Sequence, residues 1–319
     1  MFSDPFPAVE IGAFALFLGA CLSAARSGRH ALLELATAAL YGLMLEQGDI
    51  LIFGTYAYSS GFAVDFFDVP IAVGLCWAVI IYGCMRISDG FGLPPAAAPA
   101  ADALLALGLD FAFDAVAIRQ GLWRWDIDLG QAYFGVPAGN FYAWLFVAYG
   151  FSFLTRRARV AGAKRLPHQL LVPVLAYGGL ILALVPFVFL RILVFTSPGG
   201  GMPAVIVVVA LFGLLVLRAL PLRRPSPGLD LLPMGSRLTF HGYFLGALLA
   251  LRIHEQAPVL LFVSISLLAA EVALAALSLA APLTKRRPGG LDPPRRRENP
   301  ASRTSSGASV GHERARGGT

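Results

Sequence analysis

The chain has 319 residues, of which 57% are hydrophobic and only 14% charged, and its net charge is +6. A soluble domain carries about a quarter charged residues, so an ordinary soluble globular protein is excluded. The basic excess does not signal nucleic acid either. Its Lys and Arg residues gather between apolar runs and in the C-terminal stretch, where they orient a membrane protein and meet anionic lipid.

The apolar residues come in long runs rather than in the stripes of a soluble helix. A bilayer core takes about 20 apolar residues as helix, and a helix satisfies its own backbone where water is absent. Nine such segments follow in chain order, over 8–25, 31–47, 69–86, 100–119, 139–155, 170–195, 203–220, 238–253 and 257–283. The second and fourth are the least apolar, because they hold Glu34, Asp110 and Asp114. The expected fold class is therefore all-α. It is a polytopic transmembrane helical bundle of about nine spans (seven to nine) over residues 1–284.

Basic residues follow every odd-numbered segment. Arg26 and Arg29 follow the first, and Arg86 the third. Arg156, Arg157, Arg159, Lys164 and Arg165 follow the fifth; Arg218, Arg223 and Arg224 the seventh; Lys285, Arg286 and Arg287 the ninth. The stretches 48–68 and 196–202 hold no Lys or Arg, and 120–138 holds only Arg124. Short basic loops stay cytoplasmic, which predicts an outside N-terminus, a cytoplasmic C-terminus and a multi-pass protein of the cell membrane. Residues 285–319, rich in Gly, Pro, Ser and Arg, read as a disordered basic cytoplasmic tail. No cleavable signal peptide is expected, since the first apolar run lacks a basic flank and begins with Asp4 and Glu10. Cys21, Cys76 and Cys84 all fall inside expected helices and read as small apolar residues.

Ionisable groups at membrane depth are costly and usually mark function. Glu46 closes the second segment and Asp49 follows it, while Asp110 and Asp114 share one face of the fourth. Glu34 lies about three turns below Glu46. Capping and loop solvation account for Asp49, Asp65 and Asp128. Aromatics crowd the same level: Trp123, Trp125, Tyr133, Phe141 and Trp144, with Tyr56, Tyr58 and Trp77 from the preceding hairpin. An interfacial belt explains Trp and Tyr, but a belt needs no Asp or Asn among them. Acids beside aromatic faces can protonate an alkene, the acid giving the proton and the rings stabilising the carbocation.

Several chemistries lack their residues. The five His residues are scattered, so no His-rich iron-ligand set is available, and no metal site is expected. No Gly-rich dinucleotide turn opens a strand–helix unit. Asp110 and Asp114 could be half of a Mg²⁺–diphosphate site, but a second acidic motif with basic neighbours is missing. Acid–base chemistry on an apolar substrate, without a cofactor, is left.

Asp114, Val116, Ala117, Gly121, Trp123 and Trp125, followed by Tyr133, Gly135, Val136, Pro137, Asn140, Phe141 and Trp144, form a spaced pattern. It resembles the hallmark of the integral membrane carotenoid biosynthesis family. Glu34, Tyr41-Gly42, Glu46, Tyr56, Tyr58, Val69-Pro70 and Trp77 resemble that family's N-terminal half. Ala115 and Ala143 depart from the pattern, standing where the family has Pro and Gly. The resemblance, over residues 10–280, is to bisanhydrobacterioruberin hydratase and to hydratases of γ-carotene or lycopene end groups. It implies cofactor-free addition of water to the terminal double bond of an acyclic carotenoid, giving a tertiary alcohol.

On that reading Asp114 is the favoured proton donor, with Asp110 or Glu46 as partner and Glu34 the weakest member. Trp123, Trp125 and Tyr133 form an aromatic wall, and Asn140 orients water or acid. Phe141, Trp144, Tyr56 and Trp77 complete the substrate-binding set. Arg119 is a rival partner for Asp114. The expected partners are a lycopene-like carotenoid, the bilayer and other enzymes of carotenoid biosynthesis. Two alternatives stand beside the hydratase: a carotenoid or lipid carrier without catalysis, and a prenyltransferase-like lycopene elongase.

Overall fold

The computed structural model describes residues 4–194, 196, 200–222 and 231–280. Ten helices run through them. They are α1 (Phe6–Ser27), α2 (Arg29–Phe53), α3 (Ile71–Gly90), α4 (Ala98–Ala117), α5 (Ala138–Arg159), α6 (Arg165–Leu193), α7 (Met202–Ala219), α8 (Leu231–Ala250), the short α9 (Ile253–Gln256) and α10 (Pro258–Ala280). Four short strands join them: β1 (Tyr56–Tyr58), β2 (Asp65–Phe66), β3 (Val69–Pro70) and β4 (Trp123–Trp125). The protein is an all-α polytopic bundle, as its apolar runs predict. The expected C-terminal tail, and the loop residues Arg223 and Arg224, lie outside the described residues.

The nine expected segments each fall on one long helix. Six of these long helices, α1, α2, α3, α6, α7 and α10, are long and apolar enough to cross a membrane. The arrangement is the reverse of a soluble bundle. The most apolar helix, α7, reaches a mean hydropathy of 2.7 yet is only 11% buried by protein. Lipid is as apolar as Leu, so a helix facing it gains nothing from hiding its side chains. The less apolar α3 is 72% buried and packs against α1, α2, α4 and α8. Nearly the whole of α4 is buried as well, its three aspartates included. Polar side chains thus sit where protein, not lipid, surrounds them.

Two helix ends differ most from expectation. α2 runs on past Asp49 to Phe53 and stops at Gly54, whose left-handed backbone (φ 59°) lets its N–H close on the Asp49 and Ile50 carbonyls. Glu46 therefore lies inside the helix rather than at its end. α8 begins seven residues before the expected start, because Arg237 is buried on it and pairs with Glu271 of α10. A charge that lowers local hydropathy is here neutralised by a neighbouring helix.

Candidate active site

The C-terminal halves of α2 and α4 and the N-terminal halves of α3 and α5 meet at one end of the bundle. There they enclose a cavity of ≈ 880 Å³, completed by α1, α6 and α8. Its size is that of a small-molecule site. Its roof is a two-stranded antiparallel ribbon, in which Tyr56 faces Trp125 and Tyr58 faces Trp123. Residues two apart on a strand, and residues directly opposite across strands, share one face. All four rings therefore point the same way, and all four line the cavity. Gly121 has φ 75°, a left-handed turn that feeds the chain from α4 into β4.

Glu46 is buried and accepts three hydrogen bonds. Tyr56 donates at 2.5 Å and Tyr58 at 2.8 Å to Oε2, and the Trp77 indole N–H donates at 2.6 Å to Oε1. Trp77 reaches it because Gly42, one turn below Glu46 on the same face, presents no side chain. A Cβ there would lie 2.5 Å from the Trp77 Cβ. Burial and then the Glu46 charge hold the Tyr56 and Tyr58 phenols above their ordinary range, so both remain donors. Three donors satisfy a carboxylate.

The second acidic group is a pair. The amide nitrogen of Asn140 donates to Oδ2 of both Asp110 and Asp114, at 2.8 Å each. Asp114 accepts a second bond through Oδ1 from the Trp123 indole, at 2.7 Å. Oδ1 of Asp110 is buried and accepts nothing from the described residues. Around these carboxyls the walls are aromatic. Trp77 and Trp144 lie 4.2 Å apart between ring centroids, and Phe113 packs against Trp144 and stacks on Phe244.

The fold therefore brings together Glu46, Asp110, Asp114, Asn140, Tyr56, Trp77, Trp123, Trp125 and Trp144 around one space. It does not bring Glu34 there. Glu34 is buried near the other end of the bundle, held by Arg159 at 2.7 Å and Arg165 at 2.9 Å. Its charge is spent on those two arginines, which corrects its place among the expected acids. Tyr133 and Phe141 stand behind the wall rather than in it. The Tyr133 hydroxyl donates to the Phe111 carbonyl at 3.0 Å, and Phe141 stacks on Phe111. Arg119 does not pair with Asp114 but donates to the carbonyls of Ala115, Phe134 and Leu129. Sequence reasoning left Tyr58, Phe113 and the α8 residues Phe240 and Phe244 out of the site. Tyr58 had a signal, since Tyr-x-Tyr and Trp-x-Trp both carry the period of a strand.

Residues 8–215 match the family described as carotenoid biosynthesis protein. The chain belongs to that family. No curated protein and no solved structure matches the chain significantly. In this carotenoid biosynthesis protein the matched residues run from α1 into α7 and hold every carboxyl of the cavity, whereas Phe240 and Phe244 lie beyond them. With six helices apolar enough to cross a bilayer, it is a membrane protein.

Proposed function

We propose that this protein adds water across the terminal isopropylidene double bond of an acyclic carotenoid. The observation that carries the reading is the Asp110–Asp114 pair, bridged by Asn140, on an aromatic-walled cavity of a carotenoid biosynthesis protein. Two carboxyls that share one donor are suited to share one proton as well. Asp110 is then the proton's seat, because among the described residues nothing donates to its Oδ1, which is free to carry hydrogen. This moves the donor role from Asp114 to its neighbour.

The step balances within the pair. The Asp110 proton goes to the less substituted alkene carbon, the π bond breaks, and a tertiary carbocation forms. The faces of Trp77, Trp123 and Trp144 and the charge of Glu46 stabilise that cation. Water adds to it, forming the C–O bond, and Asp114 takes the proton that water sheds. The pair ends with one proton, as it began. Glu46 keeps its three donors throughout and exchanges nothing.

The bilayer supplies an apolar substrate directly to the bundle. The arrangement of basic loops supports placement in the cell membrane, with the cavity end outside and the arginine-rich end cytoplasmic. The test uses purified protein in detergent with lycopene, no cofactor, and water labelled with heavy oxygen. A labelled tertiary alcohol is the expected product. Bound but unchanged pigment would make the protein a carrier, and a requirement for Mg²⁺ with a prenyl diphosphate would make it an elongase.

A further inference from the structure

A second, smaller cavity of ≈ 250 Å³ lies at the arginine-rich end, between the α1–α2 turn, the end of α3, the end of α5 and the start of α6. It holds two carboxylates, and both are satisfied. Glu34 is bound by Arg159 and Arg165. Asp89 is bound by Arg156 at 2.9 Å and Arg159 at 2.6 Å, while Arg156 also binds Asp102 at 2.7 Å. These three arginines and three carboxylates balance. Arg29 and Arg86 line the same cavity and are left over. Neither has a carboxylate within ion-pair distance among the described residues. The Arg86 Nε is buried and donates to no described group.

A buried guanidinium donor without an acceptor is costly. The local backbone adds to the imbalance. Gly28 caps α2 with no side-chain hydrogen bond, and the first turn of α2 holds no acidic residue. Its positive end lies at the same cavity, which Gly28, Arg29, His30 and Ala31 line. The space thus offers two cations that have no carboxylate partner among the described residues, beside the first turn of α2. The complement is a compact group with negative charge and several acceptor oxygens, which is a phosphate. Exposed Leu18, Leu22 and Leu32 on the flanks of α1 and α2 provide an apolar surface beside it, as the chains of a lipid would need.

We propose that this cavity binds a phosphate group through Arg29 and Arg86, supplied by a phospholipid headgroup or by a soluble phosphate. The test is native mass spectrometry and thermal unfolding of the full chain, delipidated in a neutral detergent. Phosphatidylglycerol, phosphatidylcholine and inorganic phosphate are added in separate arms. The wild type should retain phosphatidylglycerol and gain stability from it. Arg29→Gln with Arg86→Gln should weaken that retention at least about fivefold, and Arg26→Gln, outside the cavity, should not. Competition by inorganic phosphate alone would assign the site to a soluble phosphate. Should the double variant fail to fold, Arg29→Gln, at an exposed position, carries the same test in reduced size. Equal binding of all three additives by wild type and variants overturns the proposal, and leaves the hydratase reading untouched.

Discussion

At the level of single side chains, the cavity separates two kinds of carboxyl by what each is given. Glu46 accepts from three donors, whereas Asp110 and Asp114 divide one amide and one indole between them. Asp110→Asn and Asp114→Asn are each expected to lower turnover by about 10²- to 10⁴-fold, the usual worth of a positioned acid or base. In the proposed mechanism the pair acts as a unit, so the double variant should be little worse than either single one. Product formation from lycopene by purified variants measures this, and full turnover by Asp110→Asn would remove it from the mechanism. Glu46→Gln should lower turnover while leaving pigment binding nearly intact, since its charge matters to the cation rather than to the neutral substrate. A loss confined to binding would make Glu46 a substrate-positioning group instead.

Among the elements, the close approach of α2 and α3 sets the geometry of Glu46. Gly42→Ala is expected to destabilise the protein by about 1–3 kcal/mol, the usual cost of an inserted methyl in a packed interior. It should also draw the Trp77 indole from Glu46, because the new Cβ would meet the Trp77 Cβ at 2.5 Å. Thermal unfolding in detergent and tryptophan emission report the two effects, and an unchanged emission spectrum would show that α3 gives way without moving the ring. The helices around this contact were legible in the sequence because lipid demands long apolar runs. The roof was not. β1 and β4 are three residues each, and 67 positions separate Ala57 from its partner Arg124, so no local window contains both strands. The start of α8 was hidden for a related reason. Arg237 looks like a flanking charge until Glu271 on α10 is seen to neutralise it.

Over the whole molecule, polar groups form two layers at opposite ends, and only one carries the proposed chemistry. The sequence could place Glu34 at membrane depth but not show that Arg159 and Arg165, more than a hundred positions away, take its charge. The network of Glu34, Arg159, Asp89, Arg156 and Asp102 ties α2, α3, α4 and α5 together. Asp102 is 1% exposed and also accepts a bond from Ser152 at 2.6 Å. Removing it leaves Arg156 buried with a partner missing, which typically costs about 3–5 kcal/mol. Asp102 and Asp110 sit on the same helix, about 12 Å apart along its axis, far enough for their effects to add rather than couple. Asp102→Asn should therefore lower the unfolding temperature clearly while turnover per folded molecule stays near wild type at low temperature. Asp110→Asn should do the opposite, sparing stability and removing turnover. If Asp102→Asn abolishes turnover in protein that is still folded, the two layers are one mechanical unit, and the arginine end takes part in closing the cavity.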